Sequence, residues 1–496
     1  MILTGAEMKA LEERAIADGV TAEELMEEAG AQIAAAVRQF ARYPGRCVVY
    51  FGKGHNGGDA LVAARHLADE GWDLEWHPAF PEEQWAPLTR QKWDELHEHL
   101  EELGEMPGGA DPFIVVILDG LLGTGAGGVL REPIRGAAIE INWRRADSQA
   151  RVFALDLPTG LDADTGEVDA DAVIADYTLT IGFPKHGLFS DAATRHVGRL
   201  AVLPLEELSK RASGEITATV AIPADLRALL PRRNFDTHKG QAGRVGIVAG
   251  SRGLLGAAHL ASDASLALGA GLVTLFVTED IYAVVAPCAS PEIMVRPVHS
   301  YLEVLDAKLD AIAIGPGLGK SHAAEIRQLL ERAPQPMIID ADALNILAEN
   351  LHLLDRCAGA RLLTPHPGEM ARLDPASSGR SRRATVEAFT KRWPQHTLLL
   401  KGARTVVGQH GQPFSYNTTG SPGMATGGMG DTLTGVCAAL AGQGLALYDA
   451  ARLGAWLCGR AAELATGYGV SEEGLTPSVV IDHLGNALFE LRGGCW

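Results

Sequence analysis

Short apolar runs rich in β-branched residues recur along this chain, each followed by a helix-like stretch, in two separate series. The first series holds "CVVYF" (47–51), "FIVVIL" (113–118), "RVFAL" (151–155) and "TLTIGF" (178–183). The second holds "GRVGIVAG" (243–250), "LVTLFVT" (272–278), "DAIAIG" (310–315), "PMIID" (336–340), "ARLLTP" (360–365) and "HTLLLKG" (396–402). A strand that is apolar on both faces must be covered on both, and alternation with helices does this by placing a parallel sheet between helix layers. The periodicity lapses around 208–240, where Pro, Arg and polar residues mix, so the break between two α/β domains is expected near 210–220, giving 1–212 and 222–496. At 496 residues the chain also exceeds one ordinary core. Thr4 with Glu7 and Thr21 with Glu24 match the reciprocal cap that opens a helix. After the second, Leu25, Ala29, Ile33, Val37 and Phe40 form one apolar stripe. The stretch 375–385, "PASSGRSRRAT", reads as an exposed loop.

The formal charge of −19 opposes nonspecific attraction to nucleic acid or an anionic membrane. Six cysteines (47, 288, 357, 437, 458 and 495) are widely spaced, which fits reduced thiols and offers no zinc pattern. No basic segment followed by an apolar core opens the chain, and the most apolar stretch, 253–277, reads as a buried helix plus strand. A cytoplasmic protein without nucleic-acid or membrane partners is the expectation. The helix near the N-terminus is suited to a partner chain as well as to its own sheet, so a homo-oligomer is compatible with the sequence.

Ligands of open parallel sheets collect where loops leave the carboxyl ends of strands. Three loops of the first half combine Gly with oxygen-bearing side chains: "GKGHNGGD" (52–59), "DGLLGTGAGG" (119–128) and "DLPTGLDADTG" (156–166), expected after the first, second and third strands. Their spacing is not the dinucleotide fingerprint. "GTGAGG" alone is as consistent with a plain turn as with a ligand cradle; the three loops together point to a site.

These three motifs resemble those of the NAD(P)H-hydrate epimerase domain, over roughly residues 1–210. The resemblance implies a Rossmann-like three-layer α/β/α sandwich. It also implies a potassium ion held by oxygens of Asn56, Asp119 and Thr159. Substrate contacts would come from His55, Asn56, Gly57, Gly58 and Asp59, from Gly123, Thr124, Gly125, Ala126, Gly127, Gly128 and Val129, and from Asp156. Oxygen donors suit such a hard cation. His55 stands where the family usually has Asn, Ala60 where it has Gly, and Thr159 where Ser is commoner. His55 either hydrogen-bonds substrate or is a solvated loop residue. Asp59 either binds substrate or braces the turn. Asp156 either exchanges protons during epimerisation or caps its loop.

The second half contains "NTTGSPGMATGGMGDTLTGVCAALAGQG" (417–444), with "GGMGD" directly before an apolar helix. Free N–H groups and the helix dipole there favour phosphate, beside Asp431. Asp431 is either a catalytic base or an N-cap. The pattern resembles the ribokinase-like superfamily, whose Gly-rich loop and Asp serve phosphoryl transfer. "HKGQAGRVGIVAGS", "GPGLG" (315–319), "DADALN" (340–345), "TPHPGEMARL" (364–373) and "KGARTVV" (401–407) narrow the resemblance to ADP-dependent NAD(P)H-hydrate dehydratases, over roughly 225–490. "HPGE" is the element that distinguishes them from sugar or vitamin kinases. By that resemblance Lys401, Gly402, Ala403, Arg404, Thr405 and Gly430 hold ADP, while Ala257, Ala258, Gly317, His366 and Asp431 hold the hydrated nicotinamide. His366, between two prolines, is alternatively structural, and Lys401 alternatively a surface charge. Asp340 and Asp342 would orient the Lys401 region or the waters of a magnesium ion. No P-loop or protein-kinase pattern occurs.

The implied function is repair of hydrated NADH and NADPH. The first domain would interconvert the R and S forms. The second would dehydrate the S form with ADP as co-substrate and Mg2+ present, leaving AMP and phosphate. The rival reading is a ribokinase-like small-molecule kinase with a non-catalytic N-terminal binding module.

Overall fold

The computed structural model describes residues 1–104, 110–125 and 127–493. The chain divides after Ile216 into two compact units.

The first unit is built on six parallel strands: β1 (Gly45–Phe51), β2 (Asp73–Pro78), β3 (Asp111–Gly120), β4 (Arg151–Leu155), β5 (Tyr177–Ile181) and β6 (Arg199–Leu203). They lie in the order β2-β1-β3-β4-β5-β6. Alternate side chains of one strand enter different cores. Cys47, Val49 and Phe51 pack with the helices Gly5–Ala17, Ala22–Phe40 and His55–Ala68, while Val48 and Tyr50 pack with the helix Ile134–Ser148. This is the three-layer α/β/α arrangement that doubly apolar strands require. Both reciprocal caps, at Thr4 and Thr21, are formed. The expected strand list lacked β2 and β6, the two edges of the sheet. The loops 119–128 and 156–166 therefore follow β3 and β4, not a second and third strand.

The second unit holds β7 (Ala218–Val220), β8 (Arg244–Val248), β9 (Leu272–Thr278), β10 (Met294–Val298), β11 (Ala311–Ile314), β12 (Met337–Ile339), β13 (Arg361–Leu363), β14 (Thr397–Leu400), β15 (Val406–Gln409) and β16 (Phe414–Tyr416). Their order is β10-β9-β8-β11-β12-β13-β14-β15-β16-β7. Strand β7 lies ahead of residue 222 and pairs with β16 in this sheet. From β10 to β14 every pairing is parallel. The sheet then turns antiparallel through β15 and β16, two strands that, like β7 and β10, the expected series lacked. The reason for the antiparallel turn is chain length: the segment 401–405 between β14 and β15 is too short for a crossover helix, which a parallel return demands. The stretch 375–385 is not one loop: Ser381 caps Ala384 N–H and a helix runs from Arg382 to Arg392. The helix Met429–Gly442 is buried almost all round from Thr432 onward. Among the described residues no helix is long and apolar enough to cross a membrane.

Candidate active sites

In the first sheet the chain runs from β1 out to the edge at β2 and returns on the other side of β1 as β3. Loops leaving β1 and β3 therefore part in opposite directions and open a crevice, the usual ligand position of such sheets. The helix His55–Ala68 starts there without a side-chain cap. Gly57 lies so close to the chain that a Cβ on it would sit 2.1 Å from the Gly52 carbonyl oxygen. Asn56 Nδ2 donates to the Leu122 carbonyl at 2.9 Å, which leaves Oδ1 as its acceptor. A Cβ on Gly123 would lie 3.6 Å from Asn56 Cβ and 3.8 Å from Asp156 Oδ2, so the three motif loops meet at one place. Asp119 is fully buried at the end of β3. It accepts the Thr159 N–H at 2.9 Å and the Thr159 hydroxyl at 2.7 Å. Burial pushes its carboxyl up to about 6 against the pull of the bonds from Thr159 and Leu121.

Asp156 follows β4 with φ +65°, a left-handed conformation that costs a residue bearing Cβ. Its Oδ1 accepts the Ile181 N–H at 3.1 Å and bonds the Lys185 ammonium, which is 1% exposed. Lys185 is itself held by the N-terminal segment: Leu3 N–H donates to the Pro184 carbonyl and His186 N–H to the Leu3 carbonyl. Asp59 and Glu12 face the same group. Burial first, then Asp156 and Glu12, raise the Asp59 carboxyl well above the usual carboxylate range, with Lys185 opposing. Glu12 is raised by burial and then by Asp156. One ammonium among three carboxyls therefore holds Asp59 and Glu12 above the usual carboxylate range.

His55 is exposed on the first turn of its helix. Gly58 packs on Met26, and a Cβ on Gly127 would lie 3.5 Å from Asp162 Oδ2. Thr124 and Gly125 form a turn, Gly128 has φ +85°, and Val129 is exposed. Ala126 lies outside the described residues, as does Cys495. Ala60 is buried against Gly120, whose missing side chain makes room for the extra methyl.

In the second sheet the order reverses between β8 and β11. Gly317, with φ +57°, occupies that crevice, where a Cβ would lie 2.5 Å from the Leu254 carbonyl oxygen and 3.0 Å from Ala257 Cβ. Ser251 Oγ holds the Gly317 carbonyl at 2.8 Å. Ala257 thus faces Gly317, while Ala258 is turned into the core.

Asp431 is the third residue of the helix Met429–Gly442, and Gly428, with φ +96°, is its N-cap. The carboxylate is therefore not the cap, and the first-turn N–H groups lack intrahelical acceptors. Burial first, then Asp340, push Asp431 up to about 7; Lys401 opposes this, and Asp342 and Glu369 add to it. Lys401 Nζ lies 2.7 Å from Asp340 Oδ1 and 3.8 Å from Glu369 Oε2, at the end of a buried strand rather than on the surface. Its N–H donates to the Pro365 carbonyl, joining the β14 end to the "HPGE" turn. A Cβ on Gly430 would lie 3.3 Å from Lys401 Nζ. Gly402 and Ala403 are exposed, Arg404 and Thr405 buried, and Thr405 Oγ1 donates to the Gly402 carbonyl. Arg382 reaches the carbonyls of Lys401 and Arg404. His366 is the N-cap of the helix Pro367–Leu373: its Nδ1 accepts the N–H groups of Gly368 and Glu369, and Glu369 returns a bond to His366 N–H. That fixes Nε2 as the protonated nitrogen of the neutral ring, on a side chain 52% exposed. Asp342 accepts Gly319 N–H.

Sequence reasoning did not single out Glu12, Lys185, Glu369, Thr434 or Arg382. "FPKHG" (183–187) offered one signal, a lysine directly after a strand and a proline.

A family described as NAD(P)H-hydrate dehydratase matches residues 245–482, and one described as YjeF-related protein N-terminus matches residues 22–187. The chain is 36% identical to the bifunctional NAD(P)H-hydrate repair enzyme of Moorella thermoacetica, over 94% of this chain and 92% of that one. It is 35% identical to the enzyme of the same description from Coxiella burnetii, over 96% and 97%. Among solved structures, a hypothetical protein of Streptococcus mutans is similar over 55% of this chain and 100% of its own, with 25% identity and a TM-score of 0.50.

Proposed function

Because this chain belongs to the family of bifunctional NAD(P)H-hydrate repair enzymes, we propose that its two sites act in turn on hydrated NADH and NADPH. Residues 1–212 interconvert the R and S forms, and residues 222–496 dehydrate the S form at the expense of ADP.

Hydroxide leaves a reduced ring poorly, whereas phosphate leaves well. Asp431 takes the proton of the ring hydroxyl as its oxygen attacks the terminal phosphorus of ADP, and AMP departs. The ring nitrogen lone pair then expels phosphate to leave an iminium ring, and loss of a proton from the adjacent ring carbon to the departing phosphate or solvent restores NAD(P)H. The N–H groups at 427–430 and the Lys401 ammonium meet the charge on the transferred phosphoryl. The Lys401–Thr405 turn and Gly430 bind the nucleotide. Gly317, Ala257, the backbone at Ala258 and the His366 Nε2–H bind the hydrated cofactor. Asp340 bonds Lys401 and Thr434, and Asp342 accepts the Gly319 N–H, so a magnesium ion accompanying the nucleotide would neutralise phosphate charge without replacing these bonds.

In the first unit Asp156, held in place by Lys185, takes the hydroxyl proton of the hydrated carbon as its bond to the ring nitrogen breaks, giving an open aldehyde and a protonated nitrogen; reclosure on the other face of the carbonyl reverses these transfers and inverts the centre. Potassium fits the oxygens of Asn56, Asp119 and Thr159: the buried Asp119 carboxylate is balanced by hydrogen bonds, not by a basic side chain. The ion would fix the loops that present Asn56 and Gly123 to substrate.

The observation that carries the reading is Asp431, raised to about 7, beside a lysine-lined, glycine-stripped helix start. The test is product analysis with ADP as sole nucleotide. Reduced cofactor, AMP and phosphate in equal amounts support the reading; a stable phosphorylated product marks a kinase instead.

A further inference from the structure

Asp340 stands at the N-cap position of the helix Ala341–Ala348, where an aspartate ordinarily bonds its own first turn. Its side chain makes no such bond. The next residue, Ala341, has φ +48°, in the left-handed region that disfavours any residue with a Cβ. Both features let the carboxylate turn away from its own helix. Oδ1 receives Lys401 Nζ at 2.7 Å, and Oδ2 receives the Thr434 hydroxyl at 2.8 Å. Thr434 lies one turn beyond Gly430 and Asp431 on the helix Met429–Gly442. A Cβ on Gly430 would lie 3.4 Å from Asp340 Oδ2, so the carboxylate sits directly against the first turn. Asp340 is 1% exposed, and water does not screen it.

We propose that Asp340 is a positioning residue for dehydration: it clamps Lys401 to the start of the Met429–Gly442 helix and keeps that ammonium from neutralising Asp431. This rests on the reading of Asp431 as the base. The charged groups facing Asp431 are Asp340, Lys401, Asp342 and Glu369. Among these groups three are acidic, and Lys401 favours the ionised base. With Asp340 as its nearest partner, Lys401 stays charged for the phosphoryl group, because Asp340, Glu369 and Asp431 outweigh its burial. Asp431 in turn remains a proton acceptor matched to neutral pH.

The experiment is the pH profile of kcat/KM for the S-form hydrate at saturating ADP, with the full-length chain. In Asp340→Asn the acid limb moves to lower pH by about one unit, because a like charge has been removed from beside the base. In Lys401→Gln it moves the opposite way. Asp340→Glu restores the charge and brings the limb back toward the parent position. An unmoved limb in a folded Asp340→Asn protein, or movement of both variants in one direction, overturns the proposal. If Asp340→Asn does not fold, Lys401→Gln decides: an upward shift supports the clamp, an unmoved limb overturns it. Asp431→Asn serves as the separate control, since full turnover there would overturn the base assignment and not the clamp alone.

Discussion

Thr159 binds Asp119 twice, through its N–H to Oδ2 at 2.9 Å and through its hydroxyl to Oδ1 at 2.7 Å. The pair ties the end of β3 to the loop behind β4 and holds a buried carboxylate whose charge is met, among the described residues, by hydrogen bonds from Thr159 and Leu121. A monovalent cation bound there stabilises the folded state by mass action. Calorimetry in potassium chloride should therefore show a higher melting transition for the first unit than in tetramethylammonium chloride, and epimerisation should fall in the second buffer. Asp119→Asn should make both properties indifferent to potassium. A transition unaffected by the cation in the parent chain would contradict the assignment.

As the proposed base, Asp431 trades stability for chemistry. An unfolded aspartate titrates near about 4, whereas Asp431 in the folded chain is raised to about 7. Between these values the folded state binds the extra proton, so the stability due to protonated Asp431 is complete below about 4 and is lost as pH rises through 7. Asp431→Asn, which cannot ionise, should melt at higher temperature than the parent at pH above about 7, with the gain shrinking toward pH 4. The same variant should lose at least about 10²-fold in dehydration while still binding ADP in calorimetric titration.

His366 carries two roles on two nitrogens. Nδ1 caps the helix Pro367–Leu373, and Nε2, 3.6 Å from Glu369 Oε2, is the nitrogen proposed to donate to substrate. Asn is a good N-cap, Ala is not. His366→Ala should cost about 1 kcal/mol of stability in denaturant unfolding and raise KM for the hydrated cofactor. His366→Asn should keep most of the stability and show the KM defect alone. Equal stability loss in both variants would refute the division of roles.

Much of this architecture was legible in the sequence. The central strands β1, β3, β4, β8, β9 and β11 are apolar on both faces and read directly from their residues. The edges did not, because an edge strand needs no such pattern: Met294–Val298 carries Arg296 and Pro297, and Asp73–Pro78 is only partly buried along most of its length. Asn56, Asp119, Gly123 and Asp156 came from the family resemblance of the glycine-bearing loops, and Asn56, Gly123 and Asp156 do lie together. Lys185 was not, since its importance comes from contact with an aspartate 29 residues earlier. The direction of the Asp340 side chain was equally hidden. "DADALN" opens a helix in either case, and only the packing of Lys401 and Thr434 shows which way the carboxylate points.

The account's central claim is that two sites share one substrate, and recovery of reduced-nicotinamide absorbance from a mixture of both epimers tests it most directly. With ADP, the parent chain should restore the full amplitude. Asp156→Ala and Lys185→Met should stop after the S form, leaving the R form unprocessed while the initial dehydration rate is unchanged. Full recovery by these variants at the parent rate would contradict the role of the first site, and no recovery by the parent chain would contradict the whole account.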